Sequence, residues 1–302
     1  MVYTLGEMLL DVIADKAVSK AAYLRYGHAG GAMLNTAISL ARSHIKTALI
    51  SETGDDAVAA FLIDFLRKNQ VNTSFIRQYP NHLSSIALAR LDANKKPVYT
   101  FQKNYPTQRS LIFPRHFTSS DILLFGSLYS LDPDIQPEIN KILHAAASSG
   151  TLILYDPNIR KAEQLTQKNR KKTLIKNLQQ AYIIKGSDED FDAIFGRQSP
   201  EKHLAALQEI HPEAVIFITL GAKGALAAWK NKIFRKPAIP VPVISTIGAG
   251  DGFNAGLIAK IASEKFRFND IPHHLEECLD NGIAFSAAVC RSKDNYIPLR
   301  SF

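Results

Sequence analysis

The sequence predicts an α/β fold, a three-layer and mainly parallel sheet with helices on both faces, carrying in addition a small β lid. Three observations predict it. Short apolar runs recur at residues 47–50, 122–125, 152–155, 181–184 and 215–220. Segments with helical spacing of apolar residues lie between several of them, at 57–68, 135–148 and 201–210. No internal repeat or low-complexity linker interrupts the alternation, so residues 1–302 are expected to form a single domain. Apolar strands alternating with amphipathic helices must bury both faces of a sheet, and helices are what cover them.

Two segments break this pattern. Residues 12–29 carry scattered polar and aromatic side chains without a helical period. Residues 84–105 read as strand, turn, strand, with Asn94-Lys95-Lys96-Pro97 at the turn. These two pieces are expected to build the lid. Residues 1–11 are apolar but contain Glu7 and Asp11 and no basic leader, so they read as one buried first strand and not as a signal peptide.

At 302 residues and 46% hydrophobic, the chain can bury a core without a disulfide or metal staple. Its two cysteines, Cys278 and Cys290, share one helical stretch and have neither zinc-site spacing nor the density of a secreted scaffold. A reduced, cytoplasmic setting is expected. No apolar run reaches the length of a membrane span. The net charge of +8 comes from scattered residues, and the densest basic cluster, within 168–176, reads as a solvated helix face. No nucleic-acid partner is therefore expected, whereas a mild positive excess suits a protein that handles anionic phosphates.

The richest stretch is Ser245-Thr246-Ile247-Gly248-Ala249-Gly250-Asp251-Gly252. Phe253, Leu257 and Ile261 follow at four-residue spacing, so a helix starts near Gly250. Free amides at a helix start form an anion site, and the glycines let a ligand approach the backbone. A carboxylate inside an anion site has two readings. Asp251 is either a helix cap or a base placed beside a phosphate cradle. No Walker pattern occurs, and Gly30-Gly31 has the wrong spacing for a dinucleotide fingerprint.

This stretch resembles the C-terminal signature of the ribokinase-like (PfkB) carbohydrate kinases, close to Asp-Thr-x-Gly-Ala-Gly-Asp. The resemblance implies an anion hole at Gly248, Ala249 and Gly250, with Asp251 as catalytic base. Ser245 stands where the pattern commonly has Asp, near a monovalent-cation site in relatives, which leaves potassium dependence open. Gly30-Gly31-Ala-Met-Leu-Asn35 is similar to the family's Gly-Gly-x-x-x-Asn, and with Asp11 it implies a sugar site at Asp11, Gly30, Gly31 and Asn35. The run Asp156-Pro157-Asn158-Ile159-Arg160 is similar to that of the fructokinase-like branch and adds Arg160 on the transferred phosphate. Residues 185–190 stand at the family's Asn-x-x-Glu motif with Ser187 and Asp190 in its place. There the resemblance implies nucleotide contact by Lys185 and water-mediated Mg²⁺ binding by Asp190. Thr219, Gly221 and Gly224 match its nucleotide-side turn, and Asn281 falls on the adenine side.

The implied activity is ATP-dependent phosphorylation of a sugar hydroxyl, fructokinase-like and at a primary hydroxyl of a hexose or ketose. The alternatives are a kinase of a sugar acid or nucleoside and a non-catalytic sugar- or nucleotide-binding regulator. A nicotinamide-linked dehydrogenase is disfavoured by the missing fingerprint. The implied partners are ATP, Mg²⁺ and a small sugar; the oligomeric state stays open, and an exposed edge of the lid sheet could support a homodimer.

Overall fold

In the computed structural model, residues 1–13, 27–91, 97–167 and 169–299 are described. The strands are β1 (Val2–Leu5), β2 (Leu9–Ile13), β3 (Gly27–Gly30), β4 (Thr47–Thr53), β5 (Ile76–Gln78), β6 (Ile86–Leu91) and β7 (Pro97–Gln102). They continue with β8 (Ile122–Gly126), β9 (Leu152–Asp156), β10 (Ile183–Ser187), β11 (Val215–Thr219), β12 (Ala225–Trp229) and β13 (Lys232–Lys236). The helices are α1 (Ala32–Arg42), α2 (Ala57–Lys68), α3 (Gln136–Ser148), α4 (Arg170–Gln180), α5 (Asp188–Phe195), α6 (Pro200–Ile210), α7 (Ala249–Glu264) and α8 (Leu275–Cys290).

Nine strands form the main sheet in the order β13-β12-β11-β10-β9-β8-β1-β4-β5. The pairs from β11 to β5 are parallel, and β12 and β13 close one edge antiparallel. Successive residues of each central strand point to opposite faces. Val2, Leu49, Leu124, Leu154, Ile183 and Phe217 pack with α1, α2, α7 and α8. Their neighbours Tyr3, Ile50, Phe125, Tyr155, Ile184 and Ile218 pack with α3, α4, α5 and α6. The strands read as unbroken apolar runs because neither face meets water.

The chain builds β4 and β5 on one side of β1, then returns to build β8 to β11 on the other. The order reverses between β1 and β8, and a crevice opens at the carboxyl ends of strands at such a point. Gly6, Gly126, Asp156, Ser187 and Thr219 all lie at or just beyond those ends.

The second sheet, β3-β2-β6-β7, pairs β2 with β3 and β6 with β7 antiparallel, and β2 with β6 parallel. It is the small β element expected from the two irregular segments. Residues 14–26 and 92–96 of those segments lie outside the described residues. One expectation is corrected here. Residues 1–11 do not form one strand, because β1 ends at Leu5 and Asp11 sits within β2 of the small sheet. The chain crosses between the sheets at Gly6-Glu7-Met8, a step hidden from hydropathy because Leu5, Met8, Leu9 and Leu10 are all buried. A smaller correction concerns residues 181–184: the strand starts at Ile183, and Ala181 caps α4.

Polar groups lock the crossing. Glu7 accepts from Ser85 Oγ (3.0 Å), Tyr105 Oη (2.8 Å) and Lys103 Nζ (2.9 Å). Further along the same loop, Arg109 pairs with Glu52 of β4 and with Asp132, and its guanidinium stacks 4.1 Å from the Tyr105 ring. The Arg109 and Glu52 side chains are 2% and 0% exposed. Removing one partner of such a pair strands a buried charge and costs about 3–5 kcal/mol. Arg109→Met is therefore expected to lose about that much stability in urea denaturation, and the double variant Arg109→Met with Glu52→Leu to recover most of it.

Candidate active site

The site is assembled at the amino end of α7. Gly248 caps that helix with φ 81°, in the left-handed region, and a Cβ there would stand 2.1 Å from the Asn295 carbonyl oxygen. Only glycine fits both demands. The turn therefore presents the first amides of α7 to the crevice, where they lack intrahelical acceptors. The helix continues buried on nearly every side, with Phe253, Ala255, Leu257, Ile258 and Ile261 in the core.

Asp251 lies in the first turn of α7 and is 7% exposed. Its Oδ2 accepts from Asn35 Nδ2 at 2.8 Å, and its backbone carbonyl accepts from Thr36 Oγ1 at 3.2 Å. Two adjacent residues of α1 thus grip one residue of α7. Burial pushes the Asp251 carboxyl up to about 7, and the charge of Asp156 adds to the rise. Asn35, Lys185 and Arg160 act in the opposite direction. The group is thus poised to exchange a proton near neutral pH. Asp251 is no side-chain cap of α7, because Gly248 holds the cap position without a side-chain hydrogen bond.

α1 starts at Gly31, which has φ 112° and would place a Cβ 2.4 Å from the Glu7 carbonyl oxygen. A Cβ at Gly30 would sit 2.0 Å from Asp11 Oδ2, so the Asp11 carboxylate occupies the space that a side chain would fill. Burial pushes the Asp11 carboxyl up to about 6. Asn35 Oδ1 is buried without a hydrogen-bond partner among the described residues. Asp11, Gly30, Gly31 and Asn35 are thus contiguous, and Asn35 joins them to Asp251.

Asp156 ends β9 and accepts the Asn158 amide at 3.2 Å, closing a tight turn with Asn158 at φ 46°. Asn tolerates that region better than most residues. Ile159 is fully buried, which leaves Arg160 exposed, with its charge felt by Asp251. Lys185 comes from β10, and its Nζ lies 2.9 Å from Asp156 Oδ2.

The pfkB family carbohydrate kinase model matches residues 1–301. The chain belongs to the PfkB carbohydrate kinases. It is 31% identical over 265 residues to a fructokinase of Rhizobium leguminosarum bv. trifolii, covering 86% of this chain and 79% of the relative. Its fold superposes on a Vibrio cholerae O395 fructokinase bound to fructose, ADP and calcium with a TM-score of 0.82, at 21% identity, covering 99% of this chain and 94% of the other. An aminoimidazole riboside kinase from Salmonella enterica, complexed with its riboside and an ATP analogue, gives 0.81 at 22% identity, covering 99% and 95%. The protein is an ATP-dependent sugar kinase with the ribokinase-like fold.

On this kinase framework the predicted residues fall into three groups. Asp251, Gly248, Ala249, Gly250, Asn35, Gly30, Gly31, Asp11 and Arg160 converge on the crevice, with Lys185 buried against Gly250. Thr219, Gly221 and Gly224 lie together around the turn from β11 to β12. A Cβ at Gly224 would meet the Lys236 carbonyl oxygen at 2.0 Å, whereas the space around Gly221 is open. Asp190 and Asn281 each take a partner within the protein. Asp190 Oδ2 accepts from the Ser187 amide and hydroxyl, both at 2.7 Å, closing a capping box on α5. Asn281 donates to the Gly256 carbonyl at 2.6 Å, clamping α8 to α7. Ser245 Oγ accepts from the Ile247 amide at 3.2 Å.

Three residues at the site go unassigned by sequence reasoning. Asp156 opens a run in which only Arg160 receives a role, Thr36 follows Asn35, and Asn254 stands three residues after Asp251. The helical spacing from 251 to 254 is the one signal that could have found Asn254.

The raised carboxyl at Asp251 has a stability consequence. An unfolded Asp titrates near 3.9, so the folded state holds the Asp251 proton more tightly than the unfolded state does. Stability from this group is greatest below about pH 4 and is lost as pH rises through about 7. Asp251→Asn should remove that loss, raising stability at pH 8 by on the order of a few kcal/mol while changing little at pH 4. Chemical denaturation of both proteins at the two pH values checks it.

Proposed function

We propose that the protein transfers the γ-phosphoryl group of ATP to a primary hydroxyl of a hexose or ketose, with Asp251 as the general base. The observation that carries this reading is the Asp251 carboxylate, buried at a helix start and hydrogen-bonded to Asn35 of the Gly-Gly pocket. A carboxylate that titrates near 7 can take a hydroxyl proton at physiological pH and give it up again to water.

The sugar binds against Asp11, Gly30, Gly31 and Asn35. Asp11 accepts from sugar hydroxyls, a strong use for a charged acceptor that has no hydrogen bond within the described protein. Asn35 Oδ1 supplies a second acceptor. ATP lies across the carboxyl ends of the strands, along Lys185 and the turn at Thr219, Gly221 and Gly224. The acceptor hydroxyl gives its proton to Asp251 Oδ, its oxygen bonds to the γ-phosphorus, and the bond to the bridging oxygen of ADP breaks. The amides of Gly248 and Gly250, with that of Ala249 once it releases the Thr246 carbonyl, and the Arg160 fork offset the charge on the phosphoryl oxygens. Among the described residues no group of three or more His, Cys, Asp or Glu could hold a metal ion. Mg²⁺ is accordingly read as arriving with the nucleotide, bound to its phosphates and several waters.

We read the small sheet as the lid of this site. It carries Asp11, and the contacts of Glu7 and Arg109 anchor it to the main sheet. Its closure over the sugar would exclude water and limit hydrolysis of ATP. The fructokinase relative favours a ketohexose as acceptor.

Three measurements test the reading. In a coupled assay of ADP formation with ketoses, aldoses, sugar acids and nucleosides, fructose is expected to give the highest kcat/KM. Asp251→Asn should lower kcat by about 10²–10⁴-fold with ATP binding retained, and near-native turnover would remove Asp251 from the mechanism. Asp11→Ala should mainly raise KM for the sugar, by about 10–100-fold on the scale of a hydrogen bond to a charged group, with KM for ATP unchanged.

A further inference from the structure

The turn that carries Gly250 rests on a buried polar cluster. The Asp156 carboxylate at the end of β9 is 1% exposed. Its Oδ2 accepts from two donors, Lys185 Nζ at 2.9 Å and Asn254 Nδ2 at 2.6 Å. Lys185 belongs to the adjacent strand β10 and is itself buried, at 4% exposure. A Cβ placed on Gly250 would lie 3.1 Å from its Nζ, so this ammonium lies directly against the glycine turn. Asn254 is fully buried one turn along α7 from Asp251, on a helix whose other buried side chains are almost all apolar.

We propose that Asp156 is a positioning residue of the phosphoryl transfer: it holds the Lys185 ammonium against the floor of the anion-hole turn and, through Asn254, fixes the rotation of α7 that aims Asp251. The proposal rests on the kinase reading given above.

Each link has a physical reason. A lysine this deeply buried would tend to lose its proton, yet three carboxylates, those of Asp156, Asp190 and Asp251, keep it charged. The cation is therefore in place before substrate enters, and no rearrangement is needed as charge grows on the phosphoryl oxygens. Glycine at 250 leaves no side chain between that cation and the hole. The Asn254 bond resists rotation of α7, because turning the helix would strand a buried amide and a buried carboxylate together. Stability alone does not account for the cluster, since apolar replacements of a buried pair are often as stable.

The charges facing Asp251 come from separate elements: Asp156 from β9, Lys185 from β10 and Arg160 from the turn after β9, with the neutral donor Asn35 from α1. Asp190, from α5, faces Lys185. Loss of the Asp156 charge and loss of the Lys185 charge should then act on Asp251 in opposite directions.

The test is the pH dependence of kcat/KM for the sugar, with thermal melting and ATP binding as controls, in Asp156→Asn, Lys185→Met and Asn254→Ala. The base works ionised, so the acidic limb marks its titration. Asp156→Asn should move that limb to lower pH and Lys185→Met to higher pH, each with kcat reduced at least tenfold. Asn254→Ala removes no charge. It should reduce kcat about tenfold with the limb unmoved and KM for ATP unchanged, and it serves if Asp156→Asn does not fold. Limbs that stay in place or move together in the two charge variants would overturn the proposal, as would native kcat in a folded Asp156→Asn or Asn254→Ala. Asp251→Asn in the same assay judges the general-base reading separately: turnover there removes that reading, whatever the other variants do.

Discussion

The rest of the structure depends on one unfavourable placement, a carboxylate buried in the first turn of a helix that is itself enclosed by the core. The field at a helix amino end favours the ionised form of Asp251, but removal from water opposes it more strongly. The group titrates near neutrality only because its surroundings are fixed. Asn35 and Thr36 hold it from α1, Gly248 sets the turn before it, and Asp156 and Lys185 supply opposing charges beneath.

The fold makes those surroundings rigid. α7 and α1 pack on the same face of the main sheet, so Asn35 and Thr36 of α1 meet Asp251 of α7 at one end of the crevice. The strand order then brings β9 and β10 alongside, with Asp156 at the end of β9 and Lys185 in the middle of β10. A two-sheet design separates the tasks. The main sheet fixes the charges, and the small sheet brings Asp11 across on a strand tied back through Glu7 and the Arg109–Glu52 pair.

Much of this could be read from residue order. The apolar runs at 47–50, 122–125, 152–155 and 215–220 became strands, and 57–68 matches α2 residue for residue, because strands buried on both faces and amphipathic helices leave strong local patterns. The glycine turn was equally plain, since its geometry excludes other residues. The break at Gly6 was not. Apolar side chains run across it, and hydropathy cannot tell one buried sheet from another. Asp190 and Asn281 show the reverse case, where a position in a motif says nothing about which partner the side chain takes. Asp190 turned to its own helix cap, and Asn281 to the carbonyl of Gly256.

The sequence by itself determined the layer architecture, the glycine turn at residues 248–250 that starts a helix and the presence of an acid beside it. These are local properties, written in periodicity and in the backbone freedom of glycine. Only the tertiary structure decided what that acid can do. Its titration near neutrality comes from burial and from the charge of Asp156, opposed by Asn35, Lys185 and Arg160, groups whose chain positions lie far from 251 and which act on it only once the fold is formed. Electrostatic energy depends on distance and on the exclusion of water, and neither exists until the chain has folded.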